Sequence, residues 1–427
     1  MKRWLVGFAA LLLTLALVAC GGGDGAEGNK DSGTGEGEQI NLDFWVFGST
    51  GYDKLIEEYQ EANPNVTITL NEGEMEDMHN NLFTSISAGS GAPDIAMVEV
   101  SQIAKFMQAK DRFQNLNDYG AEEVADNFLD WKWQQAQSVD GSFQLGLPTD
   151  IGPTTMFYRT DVIEAAGLPT DPEGLAAEID SWDAYYEAAK KIKDTTGKPI
   201  ADSPELVFNA IRDQQPQQYF NEDNELIIED TVKGAYDFTT KMVKEGLVGQ
   251  NPLWTPEWGS AMGDGSYATM PGAPAWMIGV VKGNAPDAGG NWSLTTIPEG
   301  AGNWGGSFLT IPESDYPQEA FDFISWLTAP EQQLKSFNDM GLFPSAPAVF
   351  EAEEFLNTTD EYFSGAPTAK IFAEAAQTVT PVYMGINYAM VNNELVTALT
   401  NVAVEGADPQ AEWDAAVERI EQQLERQ

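Results

Sequence analysis

The sequence has little cysteine, histidine or positive charge. One cysteine in 427 residues excludes any disulfide within the chain. One histidine, His79, disfavours histidine-based zinc sites and Ser-His-Asp triads. The chain has only 22 lysine and arginine residues but 67 aspartate and glutamate residues, which gives a net charge of −45. This charge excludes nucleic acid as a natural partner and disfavours anionic ligands, so we expect a neutral or cationic ligand.

Long apolar runs are also absent, because none reaches the roughly 20 residues that a membrane-spanning helix needs. The apolar stretch from Trp4 to Val18 follows Lys2 and Arg3 and ends at the small residue Ala19. A basic head, a short apolar stretch and a small residue are typical of an export signal, here residues 1–19. We therefore expect the mature chain not to span a membrane.

The lone cysteine follows this signal directly. Leu17-Val18-Ala19-Cys20 resembles the bacterial lipobox, and the resemblance implies cleavage before Cys20 and lipid on its sulfur. Two or more acyl chains hold a protein firmly at a membrane. Residues 21–39 have no apolar side chain larger than alanine, so we expect segment 20–39 to be a flexible tether. The alternative is a plain secretory signal with an incidental cysteine.

The roughly 390 residues after the tether suffice for two ordinary domains. Strand and helix patterns alternate from the start: strands are predicted at 42–46, 66–70 and 94–98, with helices over 52–59 and 78–86 between them. This order predicts an α/β fold with a helix-covered sheet, and functional residues just after the strands.

The alternation continues to the end of the chain. Further strands are predicted at 143–147, 154–158, 266–270, 293–297 and 307–311, and further helices at 231–245, 318–328, 386–404 and 410–426. Asp161 is placed to cap a helix that ends at Gly167, and Ser181 to cap a helix that reaches Lys193. The segment PTDIGP (148–153) is predicted to cross between strands.

Several motifs carry a family resemblance. They are GSGAPDIAMVE (89–99), MFYRTDVIEAAGLPTDP (156–172), GDGSYATMPGAPAWMIGVV (263–281), WGGSFLTIPES (304–314), PQEAFDFISWLTAPEQQ (317–333) and GLFPS (341–345). In this order, and spanning about residues 42–420, they resemble extracellular solute-binding proteins of the carbohydrate ABC importer type, the maltose-binding-protein-like family 1 lipoproteins.

The resemblance implies a two-lobed, periplasmic-binding-protein-like α/β fold of type II, in which each lobe is a sheet flanked by helices. Lobe one would comprise residues 40–149 and 295–329, and lobe two residues 153–292 and 333–427. PTDIGP and the region near 292–297 would act as hinges, since proline and glycine suit a short bending segment.

The resemblance also implies a function without catalysis. The lobes would close around a sugar or oligosaccharide outside the membrane and deliver it to the transmembrane subunits of a separately encoded ABC permease. The chain would be a monomer, anchored by lipid at the outer face of the bacterial cell membrane or periplasmic, with no cofactor or metal.

A sugar ring has one face of C–H groups and an edge of hydroxyls, so aromatic plates and carboxylate or amide acceptors would bind it. The candidate ligand-binding residues are Phe47, Ser49, Thr50, Glu99, Asp150, Trp254, Trp276, Trp304, Tyr383 and Asn387. Core packing, capping or solvation is the alternative role of each. Trp45, Trp182 and Trp326 are interpreted as packing residues. Pro274 stands where many family members have an aromatic residue.

Two other functions remain open. A lipid-anchored glycoside hydrolase needs two carboxylates about 5 Å apart, one with a raised pKa, and a chain so rich in acids can supply such a pair. No segment resembles a hydrolase motif or a glycine-rich phosphate loop. A surface adhesion protein would favour repeats and all-β modules, which the sequence lacks.

Overall fold

A computed structural model describes residues 39–426 of the chain. The predicted export signal, Cys20 and the tether, apart from Gln39, lie outside the described residues. Within residues 39–426, no helix has both the length and the apolarity to cross a bilayer.

The larger of two sheets contains the first strands of the chain. Its strands are β1 (Ile40–Phe47), β2 (Val66–Gly73), β3 (Ile95–Glu99), β4 (Gly146–Pro148) and, late in the chain, β8 (Ser307–Thr310), in the order β2-β1-β3-β8-β4. The first three are parallel, and β8 runs antiparallel to both β3 and β4. The parallel β1 and β3 therefore place their carboxyl ends at one edge of the sheet.

The smaller sheet comes from the middle of the chain. Its strands are β5 (Thr154–Arg159), β6 (Thr269–Pro274) and β7 (Trp292–Thr295), with β5 in the centre and antiparallel to both neighbours. Every residue of these strands is buried. Such short, wholly buried strands are typical of a sheet covered on both faces.

Helices cover both sheets. Around the larger sheet lie α1 (Tyr52–Ala62), α2 (Met75–Ala88), α3 (Ile103–Gln108), α4 (Ala121–Val124), α5 (Asp130–Gln135) and α14 (Pro317–Leu327). Before α14 in the chain come α6 (Thr160–Ala165), α7 (Pro172–Glu178), α8 (Trp182–Thr196), α9 (Pro204–Arg212), α10 (Ile228–Thr231), α11 (Lys233–Lys244), α12 (Pro256–Asp264) and α13 (Met277–Asn284). After it come α15 (Pro330–Met340), α16 (Glu353–Leu356), α17 (Thr368–Ala376), α18 (Tyr388–Thr400) and α19 (Pro409–Leu424).

Separate apolar cores form around the two sheets, which makes the fold two-lobed. Phe44 of β1 packs edge-on against Phe323 of α14, with ring centroids 5.8 Å apart, in the core of the larger sheet. Phe157 of β5 packs against Phe363 and Phe372 in the core of the smaller sheet. The fold is therefore the predicted two-lobed α/β architecture.

Three backbone segments cross between the lobes side by side. The segment after β4 lies against the segment before β8: Trp304 N–H donates to Gly152 O at 2.8 Å, and Gly152 N–H donates to Asn303 Oδ1 at 2.9 Å. On its other side, the segment after β4 contacts a third segment, because Ile151 N–H donates to Phe343 O at 2.9 Å. The crossing predicted at 148–153 is thus the central one.

The structure corrects four details of the sequence reading. Thr295, expected to begin lobe one, pairs with Met156 in the smaller sheet, so the second crossing follows β7 instead of lying within 292–297. Asp161 does not cap a helix but lies in the first turn of α6, where it binds the Arg159 side chain at 2.8 Å.

Trp45 is not a core residue. It is half-buried, because β1 alternates and the buried face belongs to its even-numbered neighbours, and its Nε1 donates to Asp43. The strand predicted at 266–270 lies at 269–274 and includes Pro274. Ser181 caps α8 as predicted, Trp182 is buried in the smaller sheet's core, and Trp326 packs against Tyr59.

Gly152 is the position where the crossings leave no room for a side chain. A Cβ there would lie 1.8 Å from Trp304 O, so the backbone of Gly152→Ala must shift. We expect a loss of about 1–3 kcal/mol in the free energy of unfolding, measured in urea. Gly234→Ala is the control, because exposed Gly234 in α11 has nothing within 4 Å and should be neutral or slightly stabilising. Equal stabilities of the two variants would contradict this account.

Candidate functional site

A cleft of about 650 Å³ opens between the two lobes. This volume lies within the range of about 300–1,000 Å³ that is usual for small-molecule sites. The strand ends of the larger sheet form one wall, helices α9 and α18 with the loops after β6 and before α12 form the other, and the crossings form the floor.

The first wall follows from the parallel strands. Phe47 ends β1, Glu99 ends β3, and the turn after β1 brings Ser49 and Thr50 to the same edge. Gly48 has a φ of 66°, a conformation that suits glycine, and it turns the chain directly after the strand. All four predicted residues of this edge line the cleft.

Asp150 lies on the floor, in the central crossing. Its Oδ1 accepts hydrogen bonds from Thr149 Oγ1 at 2.7 Å and from the backbone N–H of Ser307 at 3.0 Å. Its Oδ2 accepts no hydrogen bond from any residue in the described range. The carboxylate is therefore fixed in orientation while one oxygen stays free to accept from a ligand.

A buried lysine lies beneath the two acidic residues of the floor and first wall. Lys132 of α5 is wholly buried, its Nζ has no hydrogen-bond partner within residues 39–426, and it lies 3.9 Å from the centroid of the Phe308 ring. Burial lowers the pKa of Lys132 to about 7, which the charges of Asp150 and Glu99 oppose. Burial raises the pKa of Glu99, which hydrogen bonds from Ser101 and the charge of Lys132 oppose.

His79 supports Glu99 from behind. Its Nδ1 donates to Met75 O at 2.7 Å, and its Nε2 accepts from the backbone N–H of Glu99 at 3.0 Å. The imidazole is 4% exposed and its centroid lies 5.1 Å from that of the Phe47 ring. His79, a residue of α2, is therefore buried against Glu99 and Phe47 of the cleft wall.

Three tryptophans line the cleft: Trp254 and Trp276 belong to the opposite wall, and Trp304 to a crossing at the floor. The rings of Trp254 and Trp276 lie within 20° of parallel with centroids 6.0 Å apart, and Trp304 stands at 75° to Trp276 at 5.2 Å. Trp276 Nε1 donates to Trp304 O at 3.0 Å, which fixes the two relative to each other. Trp254 has a φ of 67°, rare for a bulky residue, and is 58% exposed, so it presents an open apolar face.

Helix α9 contributes residues that the sequence reading missed. Glu205, Asn209 and Arg212 lie at helical spacing and all line the cleft. Asn209 is 3% exposed, and its Oδ1 has no hydrogen-bond partner in the described part of the chain. The sequence did contain a pattern that could have revealed these residues. Three polar residues at i, i+4 and i+7 in the apolar run PELVFNAIR form a stripe on one helix face.

Arg212 joins α9 to α18 at the cleft. It pairs with Asp213 at 2.7 Å and donates to Tyr219 Oη at 2.9 Å and to Asn392 Oδ1 at 2.6 Å. Tyr388 and Asn393 of α18 complete this wall. Because Arg212 is buried with these partners, it holds the side chains of the wall in place while its charge is largely neutralised by Asp213.

Eight of the ten candidate residues therefore line this cleft, and two do not. Tyr383 lines a neighbouring cavity, and its hydroxyl donates to Asn224 Oδ1 at 2.9 Å. Asn387 precedes α18 without a side-chain cap, while its neighbour Tyr388 faces the cleft. The loop at 381–387 has no regular periodicity, so the sequence does not predict which of its residues line the cleft.

No group of three or more His, Cys, Asp or Glu side chains within residues 39–426 is arranged to hold a metal ion. The polar side chains that line the cleft include carboxylates, amides and hydroxyls, beside apolar rings. This arrangement suits hydrogen bonding to hydroxyls together with stacking on a C–H face.

His79 yields a prediction about protonation. Burial, with a smaller contribution from the charge of Lys105, lowers the pKa of His79 from 6.5 to about 4, which the hydrogen bond to Met75 O opposes. The stability that neutral His79 contributes is therefore complete above pH 6.5 and falls by roughly 3 kcal/mol as the pH drops to about 4. Because His79 is the only histidine of the chain, its ring nitrogens give a single histidine titration in NMR spectra.

We expect that titration to show a neutral ring with the proton on Nδ1 down to about pH 5. The His79→Gln variant is the control, because glutamine does not titrate. The difference in the free energy of unfolding between the natural chain and this variant should shrink as the pH falls from 6.5 to 4. A titration midpoint near 6.5 in the folded chain would refute the burial argument.

Comparison with known proteins places the chain in a family. The model of a family described as "Bacterial extracellular solute-binding protein" matches residues 54–362. The arabinooligosaccharide-binding protein of Halalkalibacterium halodurans is 26% identical over 383 residues, 84% of each chain, and the lactose-binding protein of Rhizobium radiobacter is 29% identical over 370 residues, 81% of this chain and 82% of the relative. A crystal structure of an extracellular solute-binding protein of family 1 is 35% identical, with a TM-score of 0.85 over 89% of this chain and 98% of the other. The chain belongs to the bacterial extracellular solute-binding proteins.

Proposed function

We propose that the cleft binds a neutral sugar or oligosaccharide and that the chain delivers it to an ABC importer. The observation that carries this proposal is that Trp254, Trp276 and Trp304 line the same cleft as the hydrogen-bond acceptors Glu99 and Asp150. A sugar offers an apolar face to the first and hydroxyls to the second. The names of two relatives, an arabinooligosaccharide-binding and a lactose-binding protein, support the same ligand class.

The charges of the cleft favour a ligand without net charge. Three acidic side chains, Glu99, Asp150 and Glu205, line the cleft; buried Lys132 lies near the first two, and buried Arg212 is already paired with Asp213. Opposite charges partly cancel here, so an anionic ligand would gain little and would meet the long-range repulsion of a chain of charge −45. The acidic side chains can still act as strong acceptors for hydroxyl donors.

Binding is proposed to close the two lobes. Because both walls supply contacts, a ligand that touches both stabilises the closed state over the open one. The crossings at 149–153, 301–306 and 342–346 are the segments that would bend. In the proposed boundaries, lobe one comprises 40–149 with the return segment between the second and third crossings, and lobe two comprises the segment that begins at 153 and the residues after the third crossing.

The later steps of transport follow from the same proposal. The closed monomer would dock on the transmembrane subunits of a separate permease and release its sugar there. Lipid on Cys20, after removal of residues 1–19, would hold the chain by a flexible tether at the outer face of the membrane. We propose no catalytic step.

A ligand panel tests the proposal. Arabinooligosaccharides and lactose are titrated calorimetrically into the lipid-free chain, with thermal unfolding in parallel. We expect one of them to bind with micromolar or tighter affinity and to raise the melting temperature, because the ligand binds the folded state alone. Chromatography of the recovered sugar should show no cleavage. Turnover would support the glycoside hydrolase, and an absence of binding throughout would contradict a sugar site of this class.

Trp254→Ala tests the aromatic wall. Removing this exposed ring deletes a stacking surface without opening the core, so we expect affinity for the bound sugar to fall about 10- to 100-fold with little change in stability. Trp45→Ala is the matched control, since Trp45 is half-buried on the larger sheet and lies outside the cleft. Equal affinities of the two variants would exclude Trp254 from binding.

A further inference from the structure

A second cavity, of about 490 Å³, adjoins the cleft. The two share Val100 and Met384 as lining residues. One side of the second cavity is formed by α3, α5 and the loop after α5, and the other side by residues 381–384 with Glu222. Like the cleft, it is bounded by residues of both lobes.

Four glutamine side chains meet at this cavity: Gln108, Gln134, Gln135 and Gln137. None of these amides makes a side-chain hydrogen bond with another residue of the described range, and Oε1 of Gln135 is buried without a partner. Each amide carries two donors and an acceptor, so it can pair with a hydroxyl in either direction. A buried polar atom without a partner costs free energy, which a ligand hydroxyl would recover.

The opposite side of the cavity is held in a fixed shape. Asn224, at a φ of 59°, accepts hydrogen bonds at Oδ1 from Tyr383 Oη and from the backbone N–H of Ile386, at 2.9 and 3.3 Å. These bonds brace the loop that carries Tyr383 and Met384. Val139, 69% exposed, adds an apolar surface across from it.

We infer that the ligand is a linear oligosaccharide longer than a disaccharide, which continues from the tryptophan-lined cleft past Val100 and Met384 into the glutamine-lined cavity. This inference rests on the proposed function and extends it. The four neutral amides, beside Glu222 as the one ionisable acid of the lining, match further uncharged, hydroxyl-bearing units. The candidate residue Tyr383, which does not reach the cleft, would then contact the far end of the ligand.

Chain length tests the inference directly. α-1,5-Arabinooligosaccharides and β-1,4-galactooligosaccharides of two to five units are titrated calorimetrically into the lipid-free chain. We expect affinity in the series that binds to rise from two to at least three units, by about 2- to 10-fold for each added hydrogen bond. Affinity that is independent of length would overturn the inference and leave the proposed function standing. Failure of every sugar to bind would overturn both.

Two double variants test whether the glutamine-lined cavity causes the gain in affinity for longer chains. Gln134→Met together with Gln135→Met keeps chain length and removes both amides, and we expect it to abolish the gain for longer chains while leaving disaccharide affinity unchanged. Gln410→Met with Gln422→Met is the control, because both glutamines are exposed on α19 and should leave all affinities unchanged. An equal loss for every chain length, or no loss, in the Gln134/Gln135 variant would overturn the inference.

Discussion

The close approach of two crossing segments at the cleft floor is the constraint on which the site depends. Gly152 packs directly on the carbonyl of Trp304, and a few residues away along the same two segments the backbone N–H of Ser307 donates to the Asp150 carboxylate. The same few atoms therefore connect the lobes, orient a carboxylate and fix the position of an indole. A change in the packing of the crossings would alter the connection and the site together.

Residues at strand ends could be predicted from sequence, and residues on helices could not. Phe47 and Glu99 were found because the carboxyl ends of parallel strands meet at one edge whatever the rest of the fold does. The stripe of Glu205, Asn209 and Arg212 was visible as a pattern, but a polar helix face meets solvent as readily as a cleft. Which of the two it meets depends on how α9 packs against α18 and on where the other lobe lies.

The misplaced residues have local causes. Trp45 was assigned to the core because its neighbours are apolar, yet a strand with one half-exposed face sends alternate side chains outward. Tyr383 and Asn387 are each next to a residue that does line the cleft, Met384 and Tyr388. In an irregular loop, one step along the chain turns a side chain to another surface, and composition alone does not specify which residue faces inward.

The bond from Trp276 Nε1 to the carbonyl of Trp304 links a residue after β6 to a crossing segment. Any bending of that crossing moves its acceptor, and the indole must either follow or lose its partner. Indole emission responds to both the polarity and the hydrogen bonding around the ring. The proposed closure would therefore change the surroundings of Trp276, one of the 12 tryptophans that contribute to the emission of the chain.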